Sequence, residues 1–226
     1  MVRHLVINLC INLYLFLIIT ALPIRTCVCR LIQMDALSEE GIFRVASSTL
    51  KIRRLAALFD TGEATDAAVK EIQDPHVFSG ALKLYLRELP VPLLGQNYEP
   101  WMSVHQSNSE ERKKETIDKI LSGLPQNHRH NLHYLLKFFQ LVASHSAVNK
   151  MTAPNLSIVI APNLLWDTQV TEAGDNAQRD LADTSVVNDI VETLICHVDF
   201  FFRGFGKSTI DYFKEVKDEH QKLFEK

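Results

Sequence analysis

Cysteine is scarce in this chain. Four occur in 226 residues, Cys10, Cys27, Cys29 and Cys196, and no two form a Cys-x-x-Cys pair. That absence leaves zinc-ribbon and dithiol redox motifs without support. Reduced thiols in a cytosolic protein are then the default expectation. A basic surplus is missing as well. The net charge is −3, whereas a nucleic-acid-binding domain carries an excess of lysine and arginine, so no nucleic-acid partner is expected. Hydrolase signatures are absent: there is no Gly-x-Ser-x-Gly and no His-Glu-x-x-His. Gly204-Phe205-Gly206-Lys207-Ser208-Thr209 imitates the end of a phosphate-binding loop, but Phe201 stands where its first glycine should be. His128, His130 and His133 open one helix without a nearby cysteine or carboxylate to complete a metal set. The chain therefore offers no catalytic constellation of its own, no metal site and no cofactor site. Nor does it show a convincing pair of alternating strands.

What is present reads as helix. Hydrophobic residues make up 46% and charged residues 23%, the balance of an ordinary globular protein. An apolar run spans Leu5 to Leu22, with Arg3 before it and Arg25 and Arg30 after it. A signal peptide or signal anchor, a buried terminal helix and an aberrant chain end all remain open for it. As an anchor it would leave the body of the protein in the cytosol and provide a route to membrane association. Helical spacing of Cys27, Leu31, Met34 and Leu37 follows. Ser47 or Ser48 is placed to cap a helix running to about Phe59. Pro75 opens the clearest helix, which Pro90 and Pro92 stop. Ser103 to Lys114 reads as a loop entering a helix that ends at Ser122-Gly123, and Pro125 starts a long helix through Val142. Thr152 and Pro154 cap a short helix expected to be fully buried. The acidic stretch Asp167 to Thr184 reads as loop, Ser185 to Phe202 as helix, and Ser208 as the cap of a last helix. The expected architecture is an all-α, single-domain bundle. Its divisions are 1–25 as a separate apolar segment, 26–205 as the domain, and 206–226 as a C-terminal helix.

Four polar side chains stand out at helix ends and turns. In Gly41-Ile42-Phe43-Arg44, glycine permits a tight bend, and burial of Ile42 and Phe43 would hold Arg44 outward on a stiff support. An ordinary surface arginine is the competing explanation. Lys83 and Arg87 are four apart on one outward face of the Pro75 helix, where like charges repel by a few tenths of a kcal/mol. Either something rewards that arrangement or it is a solvated basic face. Asn163 follows Pro162 at a bend. It is either a turn residue bonding its own backbone or a polar group at the edge of a site.

Three blocks of sequence, in order, resemble the RhoGAP domain. They are Gly41-Ile42-Phe43-Arg44, then Lys83-Leu84-Tyr85-Leu86-Arg87-Glu88-Leu89-Pro90-Val91-Pro92-Leu93, then Asn149-Lys150-Met151-Thr152 with Ala161-Pro162-Asn163-Leu164-Leu165. The similarity extends from about Cys27 to Phe202. Asp74-Pro75-His76, Gly80-Ala81-Leu82-Lys83 and Pro162-Asn163-Leu164-Leu165-Trp166 are most similar to the BAR-domain RhoGAPs of the RICH (nadrin) group. The resemblance implies an all-helical, cytoplasmic activator of Rho- and Rac-type small GTPases in their GTP-bound state, not itself an enzyme. Arg44 would be its arginine finger. Lys83 and Arg87 would be the basic pair supporting the finger loop, and Asn163 the asparagine at the GTPase interface. The alternative is a non-catalytic GTPase-binding scaffold fragment. The turn after the finger reads Ala46-Ser47-Ser48, a departure from the family's usual glycine-rich form.

Overall fold

A computed structural model describes residues 20–107, 109–168, 177–205 and 213, with the backbone alone for 66, 177–182 and 205. Most of the Leu5–Leu22 run, the Gly206–Thr209 half of the loop-like motif and, apart from Phe213, the helix expected after Ser208 lie outside the described residues. Helix α1 is Leu22–Gln33, followed by a 3₁₀ turn at Ala36–Ser38. Helices α2 (Thr49–Asp60), α3 (Asp66–Lys70), α4 (Pro75–Arg87) and α5 (Tyr98–Met102) come next. A 3₁₀ segment, Ser103–Gln106, leads to α6 (Glu110–Ser122), α7 (Gln126–Ser144) and α8 (Ser146–Asn149). Helix α9 (Ala153–Ile160) runs into a 3₁₀ turn at Ala161–Asn163, and α10 (Ala177–Cys196) and α11 (Val198–Phe201) complete the set. No strand occurs among the described residues.

Local chemistry sets these boundaries. Asp74 accepts a hydrogen bond from the His76 N–H at 2.9 Å, and Pro75 occupies the first turn of α4, where a missing N–H is harmless. Ser109 caps α6, accepting from the Arg112 N–H at 3.2 Å, and Glu110 and Glu111 complement the positive end of its dipole. Thr152 caps α9 through the Asn155 N–H, with Pro154 just inside. Other expectations give way. The first helix begins at Leu22 and ends at Gln33, because Asp35 turns left-handed with φ 55°. Ser48 sits at the α2 N-cap without bonding it, and Ser47 donates instead to Asp74 Oδ2 at 2.7 Å. Ser103–Gln106 is helical rather than loop, and α10 starts at Ala177, well ahead of Ser185. Ile158 on α9 is 58% exposed, so that helix is not fully buried.

Helix α4 is the hub. Val77, Phe78, Leu82 and Leu86 are buried, and both α1 and α2 pack against it. Gly80 gives α2 its close approach, since a Cβ there would lie 2.4 Å from Ile52 Cδ1. Helix α7 lies against α1, α9, α10 and α11 and buries Leu132, Leu135, Leu136, Phe138, Phe139 and Val142. Cys27 and Cys29 are buried free thiols. Burial pushes the Cys29 thiol up to about 11 and Cys27 higher still, so neither is a thiolate near neutral pH. None of the described helices is long and apolar enough to cross a membrane.

Candidate functional site: an arginine on a clamped turn

The turn after Glu39 closes on itself. The Gly41 carbonyl accepts from the N–H groups of Arg44 and Val45, both at 2.8 Å, and Ile42 N–H donates to Glu39 O at 3.2 Å. Gly41 has φ 73°, and a Cβ there would meet Val45 Cγ2 at 2.8 Å. A side chain there is therefore strained by the backbone and crowded by Val45. Phe43 is left-handed too, with φ 69°, although it is no glycine. That conformation costs an L-residue about 1–2 kcal/mol. Its ring is fully buried, edge-on to Phe138 at 6.0 Å and to Phe139 at 5.4 Å. Burying a phenylalanine contributes about 1.5–3 kcal/mol, and each aromatic pair about 0.5–1.5 more. Packing outweighs the strain, and the backbone conformation is held by the core.

Arg44, next in sequence, is exposed. Its guanidinium lies back over Gly41, with Nη2 3.4 Å from where a Cβ would stand. Lys83 Nζ reaches up from α4 and donates to the Phe43 carbonyl at 2.6 Å, so the peptide directly before Arg44 is fastened to the hub helix. This modifies the expectation for α4. Arg87 is exposed, but Lys83 is only half so, because the turn lies over it. Burial pushes the Lys83 ammonium below the usual lysine range, and the Arg87 charge adds to the effect. Among the described residues, Arg44, Lys83 and Arg87 form no ion pair with a carboxylate.

Asn163 is buried at 6% exposure, and its Nδ2 donates to Val159 O at 2.9 Å and Ile160 O at 3.4 Å. It thus bonds the backbone behind it and finishes α9. Its turn packs on α4, the helix that carries Lys83 and Arg87. The strap after α4 joins the same corner, with Leu94 N–H donating to Leu164 O at 3.0 Å. Among the described residues, no hydrogen bond links Asn163 to the three cations. The imidazoles of α7 do not converge. His128 Nδ1 is 2.9 Å from Leu93 O, while His133 is buried against Phe202 rather than solvated. Among the described residues no group of three or more His, Cys, Asp or Glu could hold a metal.

One residue escaped the sequence reading. Asn149 is fully buried, and its backbone carbonyl accepts the Gly41 N–H at 2.8 Å. Its place in the Asn-Lys-Met-Thr block was the available signal. Its contacts with Leu37 and Gly41, more than a hundred residues away in sequence, were not.

Among the described residues, the site is a helical body that carries an exposed arginine on a clamped turn, fastened by one of the two cations of α4. The chain belongs to the RhoGAP domain family, whose domain matches residues 21–169. Among its relatives, Rho GTPase-activating protein 92B of Drosophila melanogaster is 37% identical over 206 residues, 89% of this chain and 27% of that protein. SH3 domain-binding protein 1 of Mus musculus is 40% identical over 188 residues, 81% of this chain and 27% of that one. Human Rho GTPase-activating protein 44 is 37% identical over 190 residues, 81% and 22%. The chain thus spans about a quarter of the length of the curated relatives it matches. Among solved structures, the BH domain from Graf superposes with a TM-score of 0.68 at 25% identity, covering 80% of this chain and 93% of that one. Human Rho GTPase activating protein 15 shares the fold, with a TM-score of 0.72 at 23% identity over 81% of this chain and 84% of that one.

Proposed function

We propose that the chain activates Rho-family small GTPases in their GTP-bound state by lending them Arg44 in trans. The observation that carries this reading is the contrast within one turn: Phe43 fully buried and fastened by Lys83, Arg44 exposed and without an ion pair among the described residues. GTP hydrolysis spreads negative charge over the γ-phosphoryl oxygens and the leaving bridge. A guanidinium is planar, permanently charged and able to donate two parallel bonds. Held by a pre-set turn, it reaches the developing charge with little reorganisation. In the related Ras system such an arginine is worth ~10³–10⁵ in rate, or about 4–7 kcal/mol of barrier. Lys83 holds the finger's peptide, Arg87 adds positive potential beside it, and Asn163 contributes the GTPase contact from the neighbouring turn. In this reading residues 26–205 lie in the working domain, whose first helix already begins at Leu22, and the apolar run before it offers a route from a cytoplasmic body to a membrane.

Single-turnover GTP hydrolysis by Rho- and Rac-type GTPases, with and without the chain, is the test. Stimulation should collapse in Arg44→Ala while affinity for the GTP-analogue-loaded GTPase stays within a few-fold, because the interaction forms chiefly in the transition state. Wild-type protein that binds but does not stimulate would instead be a scaffold. Undiminished stimulation by Arg44→Ala would remove the arginine from its role.

A further inference from the structure

The arginine turn has two anchors, and only one is basic. From below, Lys83 holds the Phe43 carbonyl. From the side, the Gly41 N–H is held by the backbone carbonyl of Asn149. That carbonyl is itself locked by the Asn149 side chain. Nδ2 donates to Leu37 O at 2.8 Å and to Val142 O at 2.9 Å, and Oδ1 accepts from the Met151 N–H at 2.7 Å. Both amide hydrogens and the amide oxygen are therefore used, in a fully buried setting, where an unmade bond is expensive. The three partners belong to three segments: the 3₁₀ turn leading into the arginine loop, the end of α7, and the entry to α9.

We infer that Asn149 is a positioning residue for Arg44: its amide sets the register of the arginine turn against α7 and α9. This rests on the arginine reading above. The chain of bonds is short. The Asn149 carbonyl takes the Gly41 N–H, and the Gly41 carbonyl takes the Arg44 N–H, both at 2.8 Å. Two backbone hydrogen bonds thus separate the asparagine from the arginine's own peptide. Lys150 follows with φ 60°, so the backbone leaves the asparagine through a left-handed turn that its side chain stabilises by holding the Met151 N–H. The chemistry of the site selects the residue. Two carbonyls need donors and one N–H needs an acceptor, all within reach of a side chain with a single methylene. Aspartate keeps the acceptor but turns a negative charge on two carbonyls. Leucine supplies neither function, and glutamine is one methylene too long. A residue that acts through the turn should alter turnover and leave docking alone, since a misplaced guanidinium loses transition-state contact first.

The experiment uses the full chain and a Rac-type GTPase, loaded with GTP for turnover and with a non-hydrolysable GTP analogue for affinity. Asn149→Asp is expected to lower stimulated kcat at least tenfold while affinity changes less than threefold. In the Arg44→Ala background it should lower kcat no further, because its effect passes through the arginine. Additional loss in that background, or parallel loss of affinity and kcat, would assign Asn149 a general structural role and overturn the inference. Should the variant not fold, amide hydrogen exchange on the wild type decides. The Gly41, Arg44 and Met151 N–H groups should exchange as one unit with a common opening free energy. Separate opening of Met151 from the other two would overturn it. If Arg44→Ala stimulates fully, the arginine reading fails regardless. If Arg44→Ala is inactive but Asn149→Asp keeps full stimulation, the positioning inference fails alone.

Discussion

Two ends of the helical body use the same kinds of cation in opposite ways. On the α6–α7–α11 side three cations each meet an aspartate. Lys137, 1% exposed, pairs with Asp199; Lys113 meets Asp189 at 2.6 Å; Arg203 meets Asp118 at 3.3 Å. On the α4 side Arg44, Lys83 and Arg87 have no such partner among the described residues, and Lys83 donates instead to the Phe43 carbonyl. Like charges one helical turn apart repel, and burial adds to the penalty at Lys83. The first group holds helices together. In the reading proposed above, the second is left open for a polyanionic partner.

The largest expected effect tests that division at Arg44. Arg44→Lys keeps the charge but loses the planar fork, so stimulated turnover should fall by about 10³ or more, nearly as far as in Arg44→Ala. The thermal midpoint should not move, because the side chain is exposed. If lysine restores turnover, charge alone suffices and the fork argument fails. On the paired side the expected effects fall on stability instead. Burial, aided by the Lys137 charge and against the pull of Asp199, pushes the His133 imidazole down to about 3 from its usual 6.5. A depressed folded-state value means stability that is present above pH 6.5 and drains away as pH falls toward 3. At pH 4.5 the loss is about 2–3 kcal/mol. Unfolding midpoints at pH 7 and 4.5 should show it, and His133→Gln should flatten the difference. Asp199→Ala should cost about 1–3 kcal/mol at neutral pH. It removes the carboxylate paired with a buried ammonium, and the exposure of Asp199, about two-thirds, keeps the cost modest. Denaturant midpoints measure it, and turnover by the folded fraction should not change.

Much of this was legible in the sequence, for identifiable reasons. Asp74-Pro75, Thr152 with Pro154, and Pro90-Val-Pro92 mark helix ends by local chemistry, and the structure keeps them. Burial of Ile42 and Phe43 beneath an exposed Arg44 followed from hydrophobicity alone. What stayed hidden depends on distant parts of the chain. The left-handed backbone at Phe43 is set by rings on α7. The half-burial of Lys83 is set by a turn forty residues before it. The Asn149 network joins segments whose meeting no periodicity announces. The acidic character of Asp167 to Thr184 points to loop, yet α10 starts at Ala177, where Ala177, Gln178, Arg179, Leu181 and Ala182 are sound helix formers.

The α4 pair provides the finest test, because its two members should respond differently. Lys83→Met removes the bond to Phe43 O, so turnover should fall about 10–100-fold, or about 1.4–2.7 kcal/mol. Raising the pH probes the same group without mutation. A lysine lowered on folding makes the charged form costly, so this contribution to stability recovers as pH climbs through the folded value toward 10.5. Stimulated turnover should decline over that window as the ammonium discharges, giving a chain that becomes firmer at this site while it becomes less active. Arg87→Ala should do least to the fold. It removes an exposed charge that repels its neighbour, so the thermal midpoint should stay level or rise by the equivalent of no more than about 0.5 kcal/mol. The Lys83 titration should move upward once the Arg87 charge is gone. A clear loss of stability in Arg87→Ala would mean that this cation has an internal partner, and the contrast between the two ends of the molecule would no longer hold.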